Sequence, residues 1–153
     1  MPSDTPTARP TRHAVAAALR RADGLVFAVK RPDEPGEELP GIWGLPAVTL
    51  LDGETPEEGV RRLGAEKLSI DLTPLRPLAG GEQQRDGYIL HMTVYEASPT
   101  GEPMLPPRTA ETTSTLYVDA GWLPVEGFRA AADQGSLCCK LFLALSPKPP
   151  EAP

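Results

Sequence analysis

The sequence predicts an α/β (α+β) domain, a mixed β-sheet sandwiched between helices, spanning residues 13–146. Three observations predict it. Apolar runs of strand length and amphipathic helical stretches follow one another through the middle of the chain, which argues for a mixed sheet with helices on its faces. A helix start, Thr55-Pro56-Glu57-Glu58, stands between two such strands, with a capping threonine, a proline at the first helical position and a glutamate three residues past the cap. The 19 prolines among 153 residues crowd the two ends and residues 99–107, so they bound or link the ordered elements.

Residues 1–12 are rich in Pro, Thr, Ser and Ala without periodicity, and residues 147–153 repeat that character. Neither can bury enough apolar surface to order itself, and both are expected as disordered tails. Between them, His13-Ala-Val-Ala-Ala-Ala-Leu-Arg20 and Leu25-Val-Phe-Ala-Val-Lys-Arg31 flank the turn Ala22-Asp23-Gly24 and read as a hairpin. Residues 32–40 have loop chemistry and lead to Gly41-Ile-Trp-Gly-Leu-Pro46. A short apolar run at 47–51 and the turn pair Asp52-Gly53 precede the helix, which should end near Leu68. Strands are expected at 72–79 and 87–97, the second with Ile89, His91, Thr93 and Tyr95 on one face and Tyr88, Leu90, Met92 and Val94 on the other. A proline-rich loop from Pro99 leads to a strand at 114–122, then to helices at 125–133 and 136–145 separated by Gly135.

Composition narrows the function. A net charge of −6 repels polyphosphate backbones, which argues against a nucleic acid polymer as partner while leaving room for a small anion at a local arginine cluster. No apolar run approaches the roughly 20 residues that cross a bilayer, and the first ten residues lack a secretion signal's apolar core, so a cytoplasmic, membrane-free setting is expected. Cys138 and Cys139 are the only cysteines and are adjacent, which excludes a disulfide framework and, with His13 and His91 scattered, a structural zinc site. Buried inert thiols are the reading that follows.

Gly41-Ile-Trp-Gly-Leu-Pro46, then Asp52-Gly-Glu-Thr-Pro-Glu-Glu58, then Arg61-Arg62 through Ile70 resemble the box of the Nudix hydrolase superfamily (MutT-like). The strand order and the late Trp122 are similar as well. In that family a glycine is followed, across five residues, by a glutamate. Seven residues later come Arg-Glu, an apolar residue, any residue, Glu-Glu, any residue, Gly and an apolar residue. The resemblance implies carboxylates on one helical face that hold Mg2+ or Mn2+ against a diphosphate and prepare a water for attack. This chain keeps Glu54, Arg62, Glu66 and Ile70, but has Val48 for the opening glycine, Leu63 for the glutamate after the arginine, Gly64 for the apolar residue, Lys67 for the second paired glutamate and Ser69 for the late glycine. The box is therefore degenerate. Positions 63 and 67 share a helical face, which here carries a hydrocarbon and an ammonium.

The resemblance implies Glu54, Arg62 and Glu66 as catalytic residues, and Glu66 with Glu58 as ligands of a weakly held Mg2+ or Mn2+. Lys67, Arg85 and Trp43 are candidates for binding substrate, with Gln83 and Gln84 beside Arg85. Lys67 would set a fixed positive charge where the family holds a metal. Plainer readings stand beside these: Glu58, Arg62 and Glu66 as a ladder of two ion pairs of about 0.3 to 0.5 kcal/mol each, Lys67 as a solvated lysine, Trp43 as core packing and Arg85 as a soluble turn. Two functions follow. One is a divergent hydrolase of a diphosphate linkage in a nucleotide-like small molecule, with altered metal dependence and acids such as Glu82, Glu96 or Glu111 completing the metal shell. The other is a catalytically silent module that binds or senses a phosphorylated small molecule. The family favours the first and the local residues the second; the hydrolase is the leading expectation, the silent module its alternative, and a homodimer stays open. With an intact cleft, Leu63→Glu combined with Lys67→Glu should restore metal-dependent turnover.

Overall fold

A computed structural model describes residues 10–31, 41–105 and 117–145. The elements are β1 (Thr11–Ala18), β2 (Val26–Lys30), β3 (Trp43–Gly44), β4 (Ala47–Thr49), α1 (Pro56–Lys67), β5 (Leu72–Arg85), β6 (Tyr88–Pro99), β7 (Asp119–Leu123), a 3-10 turn (Val125–Phe128), α2 (Arg129–Asp133) and α3 (Leu137–Leu145). The tail residues 1–9 and 146–153, the loop 32–40 and the first part of the expected strand at 114–122 lie outside the described residues. No helix among the described residues is long and apolar enough to cross a membrane.

The alanine-rich first strand sets the layering. Every residue from Ala14 to Ala18 is buried, because both faces of β1 are covered. Ala14, Ala16 and Ala18 face a cluster with Phe128, Leu137, Cys139 and Phe142, whereas Val15, Ala17 and Leu19 face one with Val60, Leu63 and Leu68. Helix α1 therefore covers one side and α2 with α3 the other, as a sheet between helices requires. Small side chains on β1 let both layers approach closely.

Among the described residues the strands form two sheets, a four-stranded one in the order β4-β1-β6-β5 and a three-stranded one in the order β3-β2-β7. The expected hairpin of the first two strands is thus corrected. Its turn closes, with Phe27 N–H donating to Leu19 O at 2.9 Å, and Arg20 bridges Val26. Beyond that point the strands part into different sheets. The physical reason is that both edges of β1 are already taken, by β4 antiparallel and by β6 parallel from Thr11 to Ala18. That pairing also brings Thr11 and Arg12, expected in the disordered tail, into the strand. Strand β5 likewise outruns its expected end, passing through Gly80 and Gly81 to Arg85. A Cβ at Gly81 would stand 3.0 Å from Cδ2 of Leu141, so the absent side chain admits α3 rather than ending the strand.

Helix α1 starts where its sequence places it. Thr55 Oγ1 accepts from Glu58 N–H at 3.1 Å and Glu58 Oε1 accepts from Thr55 N–H at 2.8 Å, a reciprocal capping box. It ends at Lys67 with Leu68 as its C-cap, and the next residue, Ser69, takes φ of 54°, a left-handed conformation that a glycine would adopt freely. Gly64 sits against the chain that returns beneath the helix. A Cβ there would meet Leu72 Cγ at 2.6 Å and Ile70 O at 2.7 Å.

Two substitutions read this junction in opposite directions. Ser69→Gly should stabilise the protein by roughly 0.5 to 1 kcal/mol, the left-handed penalty less glycine's entropy. Gly64→Ala should cost about 1 to 3 kcal/mol through overpacking against a backbone oxygen. Urea midpoints at constant m-value check both.

Candidate active site

The residues the box retains converge on one guanidinium. Arg62 lies in the middle of α1, and Glu54 stands in the turn just before the Thr55 cap. Arg62 Nε donates to Glu54 Oε2 at 2.8 Å and Nη2 to Glu54 Oε1 at 2.9 Å, a bidentate pair. Nη2 also donates to Thr49 O at 2.7 Å, and Nη1 to Glu66 Oε1 at 3.3 Å. Glu54 further accepts from Leu51 N–H at 3.0 Å. One cation thus ties the end of β4, the turn and the helix together. The Glu54 and Arg62 side chains are 11% and 16% exposed, against 46% for Glu66. The Arg62 guanidinium holds the Glu54 carboxyl below the usual carboxylate range, with burial opposing and the Leu51 amide assisting.

This geometry replaces the expected ladder of Glu58, Arg62 and Glu66. Arg62 pairs with Glu54 and Glu66, while Glu58 closes the capping box roughly 12 Å along the helix from Glu66, eight residues at the α-helical rise. Glu58 and Glu66 are therefore not brought together as a ligand pair.

The other face of the helix points into the core. Leu63 is fully buried beside Val60, and Lys67 is only 6% exposed. Lys67 Nζ donates to Ala47 O at 2.9 Å and lies 5.1 Å from the centre of the Tyr117 ring. The reading of Lys67 as a solvated lysine is corrected by this burial. Tyr117 OH accepts from Ala47 N–H at 2.9 Å and donates to Ala47 O at 3.1 Å. A divalent ion needs hard oxygen ligands. Leu63 offers none, Lys67 is itself a cation, and Glu54 and Glu66 share Arg62. Among the described residues no group of three or more His, Cys, Asp or Glu side chains converges as a metal site would require. These residues do not fit a bound Mg2+ or Mn2+.

The remaining candidates are scattered. Trp43 is half-buried in β3 and packs on the cluster of α2 and α3 rather than beside α1. Arg85 ends β5 and donates to Gln83, whose amide donates to Gly135 O at 3.0 Å and so anchors the turn before α3. Glu82 lies 3.5 Å from His91 across the strand pair, Glu96 pairs with Arg76 at 3.0 Å, and Glu111 lies outside the described residues.

Three features escaped the sequence reading. Tyr117 reaches Ala47 across 70 residues, a contact no local pattern signals. Tyr95 OH donates to Glu57 Oε2 at 2.7 Å, and burial followed by that carboxylate pushes the phenol up to about 12. A small crevice with room for roughly one water molecule lies among β2, β3, α2 and α3, lined by Arg31, Ile42, Leu45, Ser136 and Cys138 among others. Both cysteines are free and buried, and the hydrogen bond from Cys139, reinforced by burial, raises the Cys138 thiol well above its ordinary range.

A family model, the NUDIX domain, matches residues 10–138. No curated protein matches the chain in sequence. Among solved structures, the solution structure of the E. coli ORF135 protein is similar at 20% identity, with a TM-score of 0.69 and coverage of 94% of this chain and 96% of that one. A MutT NUDIX hydrolase from Burkholderia pseudomallei is 26% identical, with a TM-score of 0.61 over 82% of this chain and 98% of that one. An ADP-ribose pyrophosphatase from Streptococcus suis is 17% identical, with a TM-score of 0.57 over 84% of this chain and 90% of that one. NUDIX hydrolases generally use divalent metals.

Glu54 gives the site a pH dependence of definite sign. Its folded pKa is depressed, so its stabilising contribution is present above the unfolded carboxylate value near ~4.3 and is lost as pH falls through the folded value. Glu54→Gln should cost on the order of 1 to 2 kcal/mol at pH 7, and the gap from wild type should shrink as the pH is taken below about 4. Thermal melts across pH check it; an unchanging gap would mean that Glu54 holds Arg62 without its charge.

Proposed function

The chain belongs to the NUDIX domain family, and from that premise we propose that it is a catalytically silent module of this fold that holds a phosphorylated, nucleotide-like small molecule. One observation carries the reading. The two box positions that resemble carboxylate ligands are occupied by Leu63, fully buried, and Lys67, bonded to a backbone carbonyl. Cleavage of a diphosphate by water needs a cation to cancel oxygen charge and to lower the pKa of the water. A lysine supplies charge but does not acidify water as a metal does.

The ligand class is supported by the family and by neighbours such as the Streptococcus suis ADP-ribose pyrophosphatase, whose substrate is a nucleotide diphosphate compound. Trp43 in β3 and Arg85 at the end of β5 are proposed ligand contacts, and Arg62 with Glu54 holds the turn before α1 rigid rather than attacking a bond. The reading keeps a cytoplasmic setting and a small-molecule partner; the net charge of −6 disfavours nucleic acid and an anionic membrane. The competing reading, a hydrolase with altered Mg2+ or Mn2+ dependence, needs Glu82, Glu96 or another acid to build a second metal shell, and the first two are paired with His91 and Arg76.

Purified protein titrated calorimetrically with a panel of nucleoside diphosphate compounds should bind at least one of them and release no phosphate or monophosphate product with or without Mn2+. Metal-dependent product would replace this reading with the hydrolase. Burial also reverses the expectation for Leu63→Glu with Lys67→Glu. A carboxylate at the fully buried position 63 should cost about 4 kcal/mol or more and unfold the protein rather than restore turnover, which circular dichroism melts check.

A further inference from the structure

Among the described residues, Lys67 is the one buried charged residue. Removing an ammonium from water costs several kcal/mol unless close partners repay it. Among its partners are the Ala47 carbonyl and the face of Tyr117, and among the described residues no buried side-chain nitrogen or oxygen is left without a hydrogen bond. Arg62, five residues earlier on α1, bonds the Thr49 carbonyl, two residues along β4 from Ala47. Carbonyl oxygens two apart on a strand project on the same side. The helix is therefore docked onto β4 by two of its own cations, each on one carbonyl of the same strand.

We propose that Lys67 is a built-in cation: its ammonium fills, from within the chain, the place at the Ala47 carbonyl that a divalent ion would take if residue 67 were a carboxylate. The Ala47 oxygen is a hard ligand, Glu66 is adjacent and partly exposed, and Mg2+ or Mn2+ is commonly held by one or two carboxylates with waters completing the shell. An ammonium satisfies the same carbonyl with no ion to lose, so the junction of α1 and β4 holds without metal. Tyr117 makes the substitution workable. Its hydroxyl fixes both polar groups of Ala47, and its ring face accepts the ammonium that the core would otherwise reject. The proposal rests on the reading above only for the residue type that the box places at position 67; ligand binding has no part in its test.

The test uses MnCl2 as the probe, with thermal melting and the electron paramagnetic resonance signal of free Mn2+ as readouts, on wild type, Lys67→Glu and Lys67→Met. Wild type should melt at one temperature in chelator and in Mn2+ and leave the free-ion signal undiminished. Lys67→Met should melt lower and ignore Mn2+. Lys67→Glu, purified with Mn2+ present, should bind one ion and lose stability in chelator, with Mn2+ at about a hundred times its dissociation constant raising the melt by roughly 5 to 10 °C. Mn2+ bound stoichiometrically by wild type would overturn the proposal without any variant. So would a folded Lys67→Glu that binds no ion, or a Lys67→Glu that fails to fold in Mn2+ while Lys67→Met folds. Metal-dependent product from wild type bears instead on the ligand-holding reading, so the two failures are distinguishable.

Discussion

The docking of α1 onto β4 is the constraint on which the rest of the site depends. Two bonds from helix cations to strand carbonyls, Arg62 to Thr49 and Lys67 to Ala47, fix how the helix is rotated about its axis. That rotation turns Val60 and Leu63 fully into the core and leaves Glu66 at the rim. The apolar contacts supply most of the adhesion, since burying one leucine is worth about 1.5 to 3 kcal/mol. The polar contacts decide orientation, because a hydrophobic face alone tolerates rotation that a bidentate guanidinium does not.

How much of this was legible in the sequence follows from the range of the interactions. The capping box of α1 lies within four residues, and Thr55, Pro56 and Glu58 announce it without help from the rest of the chain. Alternation along β6 announced its two faces, because a strand's period is local. What the sequence could not show was which strand neighbours which. The runs of β1 and β2 are locally a hairpin, yet β6, some 80 residues away, takes the edge of β1 that a hairpin partner would need. Charge pairing failed for the same reason. Glu58 stands four residues before Arg62, but the cap claims Glu58 and the fold delivers Glu54 to the guanidinium instead.

The site was half legible. That Leu63 and Lys67 share a helical face follows from helical geometry, and that such a face cannot hold a hard cation follows from their chemistry. Where the face points was hidden, because a lysine in a helix usually reaches water. The decisive partner, Tyr117, comes from 70 residues further along the chain, and a lone tyrosine ahead of a short strand carries no sign of its destination. Ser69 shows the converse. A serine rather than a glycine takes the left-handed turn after α1, so the residue type that usually marks such a turn is not there to announce it.

A helix face that carries metal ligands and one that packs into a core make opposite demands. Ligand carboxylates need water or a cation nearby, since a buried unpaired carboxylate costs several kcal/mol. A packed face needs hydrocarbon. Once position 63 is leucine and enters the core, position 67, one turn on, is drawn in with it. A carboxylate there would face the Ala47 carbonyl, oxygen against oxygen, and would need a cation between them to be tolerable. An ammonium meets the same carbonyl directly. Leu63 thus sets the depth of the helix, and Lys67 is a residue whose charge suits the carbonyl that lies at that depth.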